Sequence, residues 1–328
     1  MRFRLPHLLS AMGLSALLCL PAQALSEGRE WRAPHLQDHP LVGQIWVPSE
    51  QRSLSRKALE ARLLEARILL LGEVHGNPDH HALQLELIQA LAAADKAPAL
   101  AMEIFDLENQ SRLDTLRDQG EGDADVLAHA AGVEARHWPW DEYRPLVQWA
   151  LDQDQPLLAA NLSGERAMQV GREGLSNHMD EVERRRLGLD EPLPGPVGRR
   201  LIEHIVDAHC GYLPAARTGG MVDAQRARDA HMADRLLQAE GRPVVLIAGS
   251  GHVRRDYGVP RYLEARGAQG PVLSLAFVEV REGDDSPEDY AMAMDGVYDV
   301  ILFTPRHRMT DPCDDFREQL EGMRENAS

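Results

Sequence analysis

The chain has 328 residues, 44% of them apolar and 27% charged, enough to bury a sizeable core and too apolar to be intrinsically disordered. Its 26 glycines and 20 prolines fall short of collagen-like or low-complexity levels. A formal net charge of −17 argues against nucleic acid as a partner, because such a field repels phosphates.

Residues 1–24 read as a secretory signal: Arg2 and Arg4 precede an apolar stretch from Leu8 to Leu20, and Ala22-Gln23-Ala24 supplies a small-residue cleavage site. That stretch is shorter than the roughly 20 apolar residues of a membrane-spanning helix. Leu17 and Leu18 ahead of Cys19 make a poor lipidation site. Cleavage leaves Cys210 and Cys313, which form either one bridge or two thiols in a compartment where a disulfide persists.

In chain order, Leu41–Pro48 reads as a strand or hairpin arm. Ser55 caps a helix over 55–67 with Leu59, Leu63 and Leu64 on its apolar side. The continuous apolar run Ile68–Gly72 suits a parallel sheet, and Pro78 opens a helix to Ala93 with Leu83, Leu87, Ile88 and Leu91 in one stripe. Further strands are expected at 98–105, 156–161, 242–253, 271–280 and 298–305. Helices fall near 143–151 and over 221–241, where Gln225, Asp229 and Met232 recur at helical spacing. Residues 164–220 are charge-rich helical text broken by prolines 192, 194 and 196.

This alternation predicts an α/β fold with a central, mainly parallel sheet of about five strands flanked by helices. The core spans 41–163 and 221–310, an inserted α-helical subdomain spans 164–220, and 311–328 is a C-terminal tail.

Ligands of open α/β sheets collect at the carboxyl ends of strands. Three such ends carry polar groups here: Glu73 and His75 in LLLGEVHGN, Glu103 in LAMEIF, and His252 in LIAGSGHV. Buried charge is costly unless paired or ligated, so these residues are expected to converge. They would serve as metal ligands for a divalent ion that activates water, or as a metal-free set with histidine as base and glutamate as its orienter. His81 and Gln84 share a helical face beside them. GSGH has neither the phosphate-loop lysine nor the dinucleotide spacing, and it is not a serine-nucleophile elbow.

Taken together, GEVHGNPDHHALQLELI, AMEIF, WPWDEYRPLVQWA, AQRARDAHMA and AGSGHVRRDYGVP resemble the ChaN-like haem-binding uptake family, within the superfamily that includes Tiki and TraB proteins and erythromycin-esterase-like enzymes. The resemblance covers roughly Gly43 to Pro305. It implies a haem-binding protein of iron or haem uptake, placed in the periplasm or at the outer-membrane periphery. A haem or iron receptor of the outer membrane and a second copy of the chain are its expected protein partners.

For haem iron the candidate phenols are Tyr143, Tyr212, Tyr257, Tyr290 and Tyr298, with Tyr143, Tyr257 and His81 as the leading haem-binding set and packing as their alternative role. Arg144, Arg254 and Arg255 are candidates to offset the propionates. The wider superfamily implies the alternative function, a secreted hydrolase, metal-dependent or Glu/His-based, whose catalytic or metal-binding residues are Glu73, His75, Glu103 and His252.

Overall fold

The computed structural model describes residues 29–239 and 241–311, together with 313, 314 and 317. The signal segment, Cys19 and most of the C-terminal tail lie outside the described residues.

A short antiparallel hairpin, β1 (Ile45–Val47) and β2 (Arg52–Leu54), comes first. Next are α1 (Arg56–Glu65), β3 (Ile68–Glu73), α2 (Pro78–Ala93) and β4 (Ala99–Asp106). The Ser55 hydroxyl accepts the Ala58 N–H to start α1, and Asn77 accepts the Asp79 N–H to start α2. Helices α3 (Gln110–Asp118), α4 (Ala124–Ala130) and α5 (Trp140–Asp152) lead to β5 (Leu157–Asn161). Then α6 (Gly164–Glu173), α7 (Leu175–His178), α8 (Glu181–Leu187), α9 (Gly195–Ala208) and α10 (Gly219–Leu237) precede β6 (Val244–Gly249). The fold closes with α11 (Val259–Ala265), β7 (Val272–Glu279), α12 (Ala291–Met294) and β8 (Val300–Thr304).

The strands form one sheet in the order β2-β1-β8-β7-β3-β6-β4-β5. From β8 to β5 all neighbours are parallel, and β1 joins β8 antiparallel at the edge. The parallel core therefore has six strands rather than about five; β1 falls within the arm expected at 41–48, whereas β2, of only three residues, is too short for side-chain alternation to announce.

Successive side chains point to opposite faces, so β3 sends Leu69 and Leu71 into one apolar layer and Leu70 into the other. The first layer holds α1, α2 and α5. The second holds α6, α10 and α11, and there Ala227, Ala230 and Ala233 of α10 share one apolar cluster with Ala101, Ala248 and Ala276 of the sheet. These small side chains let α10 lie close to the sheet. Residues 164–220 are helical wherever they are regular, and Ala167, Val170, Leu175 and Leu187 bury in the same layer as the sheet residues.

Cys210, just past α9, is bridged to Cys313, which settles the choice between a bridge and two thiols. No helix among the described residues is long and apolar enough to cross a membrane.

Gly72 sits near the end of β3, where an added Cβ would lie 2.2 Å from Val253 Cγ2 and 3.0 Å from the Ser250 Cα. A Gly72→Ala substitution is therefore expected to cost about 1–3 kcal/mol through overpacking. Urea unfolding checks this, since a wild-type midpoint would show that the β6–α11 turn yields freely.

Candidate functional site

Parallel pairing of β3 with β6, and of β6 with β4, brings their carboxyl ends side by side. Glu73, the last residue of β3, is buried. One of its carboxylate oxygens receives the Tyr143 hydroxyl and lies 3.0 Å from His75 Nδ1. The other accepts from Gln84 Nε2 at 2.7 Å and lies 3.2 Å from His81 Nδ1. His81 packs edge-on against Tyr143, with ring centroids 4.3 Å apart.

The loop between β3 and α2 is pinned from behind. His80 Nδ1 accepts the Val74 N–H at 3.0 Å and its Nε2 donates to Thr304 Oγ1 at 2.8 Å. Burial foremost holds His80 down at about 3, so it stays neutral and serves as a bracket for the loop. Asn77 Nδ2 donates to Glu279 and to the Pro305 carbonyl.

In β4 the ladder to β6 ends at Met102–Ile247 and the register to β5 shifts beyond Met102. Glu103 takes over: its Oε2 accepts the Gly249 N–H at 2.7 Å, doing what a strand carbonyl would otherwise do. Its Oε1 is 3.3 Å from His252 Nε2, and its Oε2 is 4.0 Å from His75 Nε2. His252 Nδ1 donates to Asp229 Oδ1 at 2.5 Å, with the Gln225 amide 3.0 Å from the same nitrogen. The result is an alternating file, Asp229, His252, Glu103, His75, Glu73, in which His75 alone has substantial surface, 43% of its side chain.

Burial penalises the charge on His252 most, yet Glu103 and Asp229 overcome it and push the imidazole up to about 10. Burial would likewise raise both glutamates. His81 and His75 outweigh it at Glu73, which falls to about 2, and His252 outweighs it at Glu103, which lies well below the ordinary carboxylate range. Burial wins at Asp229, which rises to about 6 and whose Oδ2 has no hydrogen-bond partner among the described residues. At His75 burial opposes protonation, but Glu73 and Glu103 raise the imidazole.

The four expected site residues, Glu73, His75, Glu103 and His252, thus stand together. Asp229 and Gln225 were not expected; their sequence signal is the i, i+4 spacing on α10 that turns both toward β6. The metal alternative finds no support in this arrangement, because the donor atoms face one another. Among the described residues no group of three or more His, Cys, Asp or Glu side chains is disposed to hold an ion.

Of the expected haem-binding set, Tyr143 and His81 are buried around Glu73. Tyr257 is buried too, against Leu201 and Ile205 of α9, with the Arg254 guanidinium 4.7 Å from its ring. Burial pushes both phenols well above their ordinary range. Arg144, Arg254 and Arg255 do not offer free charge to propionates, since they pair with Asp125, Asp256 and Asp299.

The raised His252 contributes stability that is complete below pH 6.5 and lost as pH climbs through about 10. Glu73 contributes stability that is complete above pH 4.5 and lost as pH falls through about 2. Removing His252 strands two buried carboxylates, so His252→Gln is expected to cost about 3–5 kcal/mol and to flatten the alkaline decline. Urea midpoints from pH 6 to 10 test both points, and an alkaline limb unchanged in the variant would assign the titration to another group.

Residues 59–263 match the family described as haem-binding uptake, Tiki superfamily, ChaN. Among solved structures the chain is similar to one described as cofacial heme binding to ChaN of Campylobacter jejuni, at 21% identity and TM-score 0.61, over 79% of this chain and 95% of that one. It is more distantly similar to an erythromycin esterase variant in its open conformation, at 13% identity and TM-score 0.42, over 87% of this chain and 100% of that one. No curated protein gives a significant match. The first likeness agrees with the α/β architecture, and the family match covers well over half of the sequence: the chain belongs to the ChaN family of haem-binding uptake proteins in the Tiki superfamily.

Proposed function

We propose that the protein binds haem in the cell envelope, in the periplasm or at the outer-membrane periphery, and serves haem or iron uptake or transfer. The observation that carries this reading is the family match over residues 59–263. An outer-membrane haem or iron receptor and a second copy of the chain are the partners it calls for.

The residues present include a donor suited to haem. Tyrosinate ligates iron(III), and of the six tyrosines only Tyr212 is an exposed residue, at 50%. Tyr143, Tyr257, Tyr262, Tyr290 and Tyr298 are all buried. Tyr212 would hold the iron, which supplies the coordination chemistry, and the chain's own part is to orient the porphyrin and shield it. Titrating haem into the mature protein should give a saturable Soret band whose ligand-specific features vanish in Tyr212→Phe and persist in Tyr143→Phe and Tyr257→Phe. The absence of saturable binding would end this reading.

A second reading, Glu/His-based hydrolysis, is favoured by one observation: the alternating acid–imidazole file that reaches the surface only at His75. There His75 would take a proton from water, Glu73 would orient its Nδ1 side, and the Glu103–His252–Asp229 arm would hold the file's charge. Because its two glutamates raise His75, the imidazole becomes a base only above pH 6.5. Ester hydrolysis should then rise with pH above that value and be lost in both His75→Ala and His252→Ala with the fold retained. Equal turnover in wild type and His75→Ala would remove this reading.

A further inference from the structure

An open groove of about 400 Å³ runs between α6 and α10 and shares no residue with the acid–imidazole file. Its floor is low because the two helices touch backbone to backbone. A Cβ on Gly220 would lie 2.0 Å from the Gly171 carbonyl oxygen, so no side chain rises there. Met168 and Met221 line the groove and are 57% and 39% exposed, a pairing of large apolar side chains on adjoining helices that calls for a cover. Leu213 closes one end, and Arg172 and Arg217 stand on the rim.

The C-terminal segment starts at this groove. Cys313 is bonded to Cys210, two residues before Tyr212 and three before Leu213, so the segment is anchored at the groove's closed end. Cys313, Asp314 and Arg317 are helical, and the Arg317 guanidinium donates to the Tyr212 phenol oxygen while pairing with Asp314 at 2.6 Å. Continued at about 100° per residue, that helix puts Phe316, Leu320 and Met323 within about 80° of Cys313. The apolar stripe therefore faces the side on which the bridge is made. Asp314, Glu318, Glu321 and Glu325 share the adjoining flank at i, i+4, i+7 and i+11, an acidic row to meet a basic rim. Phe316 to Met323 spans about 10 Å of helix, and the α6 side of the groove, Gly164 to Arg172, about 12 Å.

We infer that residues 316–325 of the chain itself dock in the groove between α6 and α10, with Phe316, Leu320 and Met323 against Met168 and Met221 and the acidic flank toward Arg172 and Arg217. The Cys210–Cys313 bridge makes this docking intramolecular, so a contact too small to hold a free peptide is populated through a high effective concentration. Docked, the segment straps α6 and α10 to the turn after α9 and covers the apolar face of the helical insertion. The inference stands independently of haem binding and of hydrolysis.

Methionine oxidation by dilute peroxide, read by mass spectrometry on the full mature chain with its bridge intact, provides the test. Met294 on α12 is the internal reference, since it is 38% exposed and does not line the groove. By exposure alone Met168 and Met221 would oxidise at least as fast as Met294. Covered by the segment, they should oxidise roughly fivefold more slowly. A chain ending at Asp314, which keeps the bridge, and Leu320→Asp/Met323→Asp should each abolish this protection and retain wild-type circular dichroism. Arg172→Glu/Arg217→Glu should weaken it, and adding Glu318→Arg/Glu321→Arg to that variant should restore it. Cys210→Ser/Cys313→Ser should lower it by removing the tether. Oxidation of Met168 and Met221 in wild type at the rate of Met294 or faster would overturn the inference. So would protection that survives truncation at Asp314, and its dependence on protein concentration would then assign the groove to a second copy of the chain.

Discussion

Three carboxylates, Glu73, Glu103 and Asp229, lie under the carboxyl ends of β3, β4 and β6 with almost no contact with water, and the local architecture is organised around their neutralisation. An isolated buried carboxylate costs far more than any one packing contact returns, so each must find a cation or several donors. His252 answers two of them at once, and His75 with His81, Gln84 and Tyr143 answers the third. These partners come from the β3–α2 loop, α2, α5 and the turn after β6. The charge file can therefore close only when sheet, α2, α5 and α10 are all in register.

That dependence explains the close backbone approaches nearby. Gly249 is in contact range of His75 and Glu103, so that a Cβ there would meet His75 Nε2 at 3.1 Å. The end of β4 gives up its ladder partner and Glu103 supplies the missing acceptor to Gly249. Specific polar geometry has displaced regular sheet geometry where the site is built, and only there does β4 lose register with its neighbours.

Much of this was legible in the residues. The continuous apolar runs ending in Glu73, Glu103 and the Gly-Ser-Gly-His252 turn identified the strands and the polar ends together, because parallel strands bury both faces and so lose their alternation. Capping by Ser55 and the proline in the first turn of α2 were equally readable. Asp229 was hidden in a charge-rich helical sentence, where one acid among many looks solvated. What singles it out is the alanine-lined face it shares, at positions 227, 230 and 233, and that face shows its meaning only against Ala101, Ala248 and Ala276 of distant strands. Tyrosine identity carried no burial information either. Tyr143 and Tyr212 differ in exposure because one follows the inward stripe of α5 and the other lies in the turn after α9.

The bridge between Cys210 and Cys313, separated by 103 positions, closes a covalent ring through which α10, β6, β7 and β8 all pass. Such a ring removes on the order of 4–5 kcal/mol of loop-closure entropy from the unfolded chain in the chain-entropy account. Asp229 and His252 lie inside it, whereas Glu73, His75 and Glu103 lie outside. The polar file is therefore sewn across a seam between a tethered half and an untethered half of the polypeptide. Reduction of the bridge would therefore restore chain freedom to the segment that carries Asp229 and His252 and leave that of the segment carrying Glu73, His75 and Glu103 unchanged.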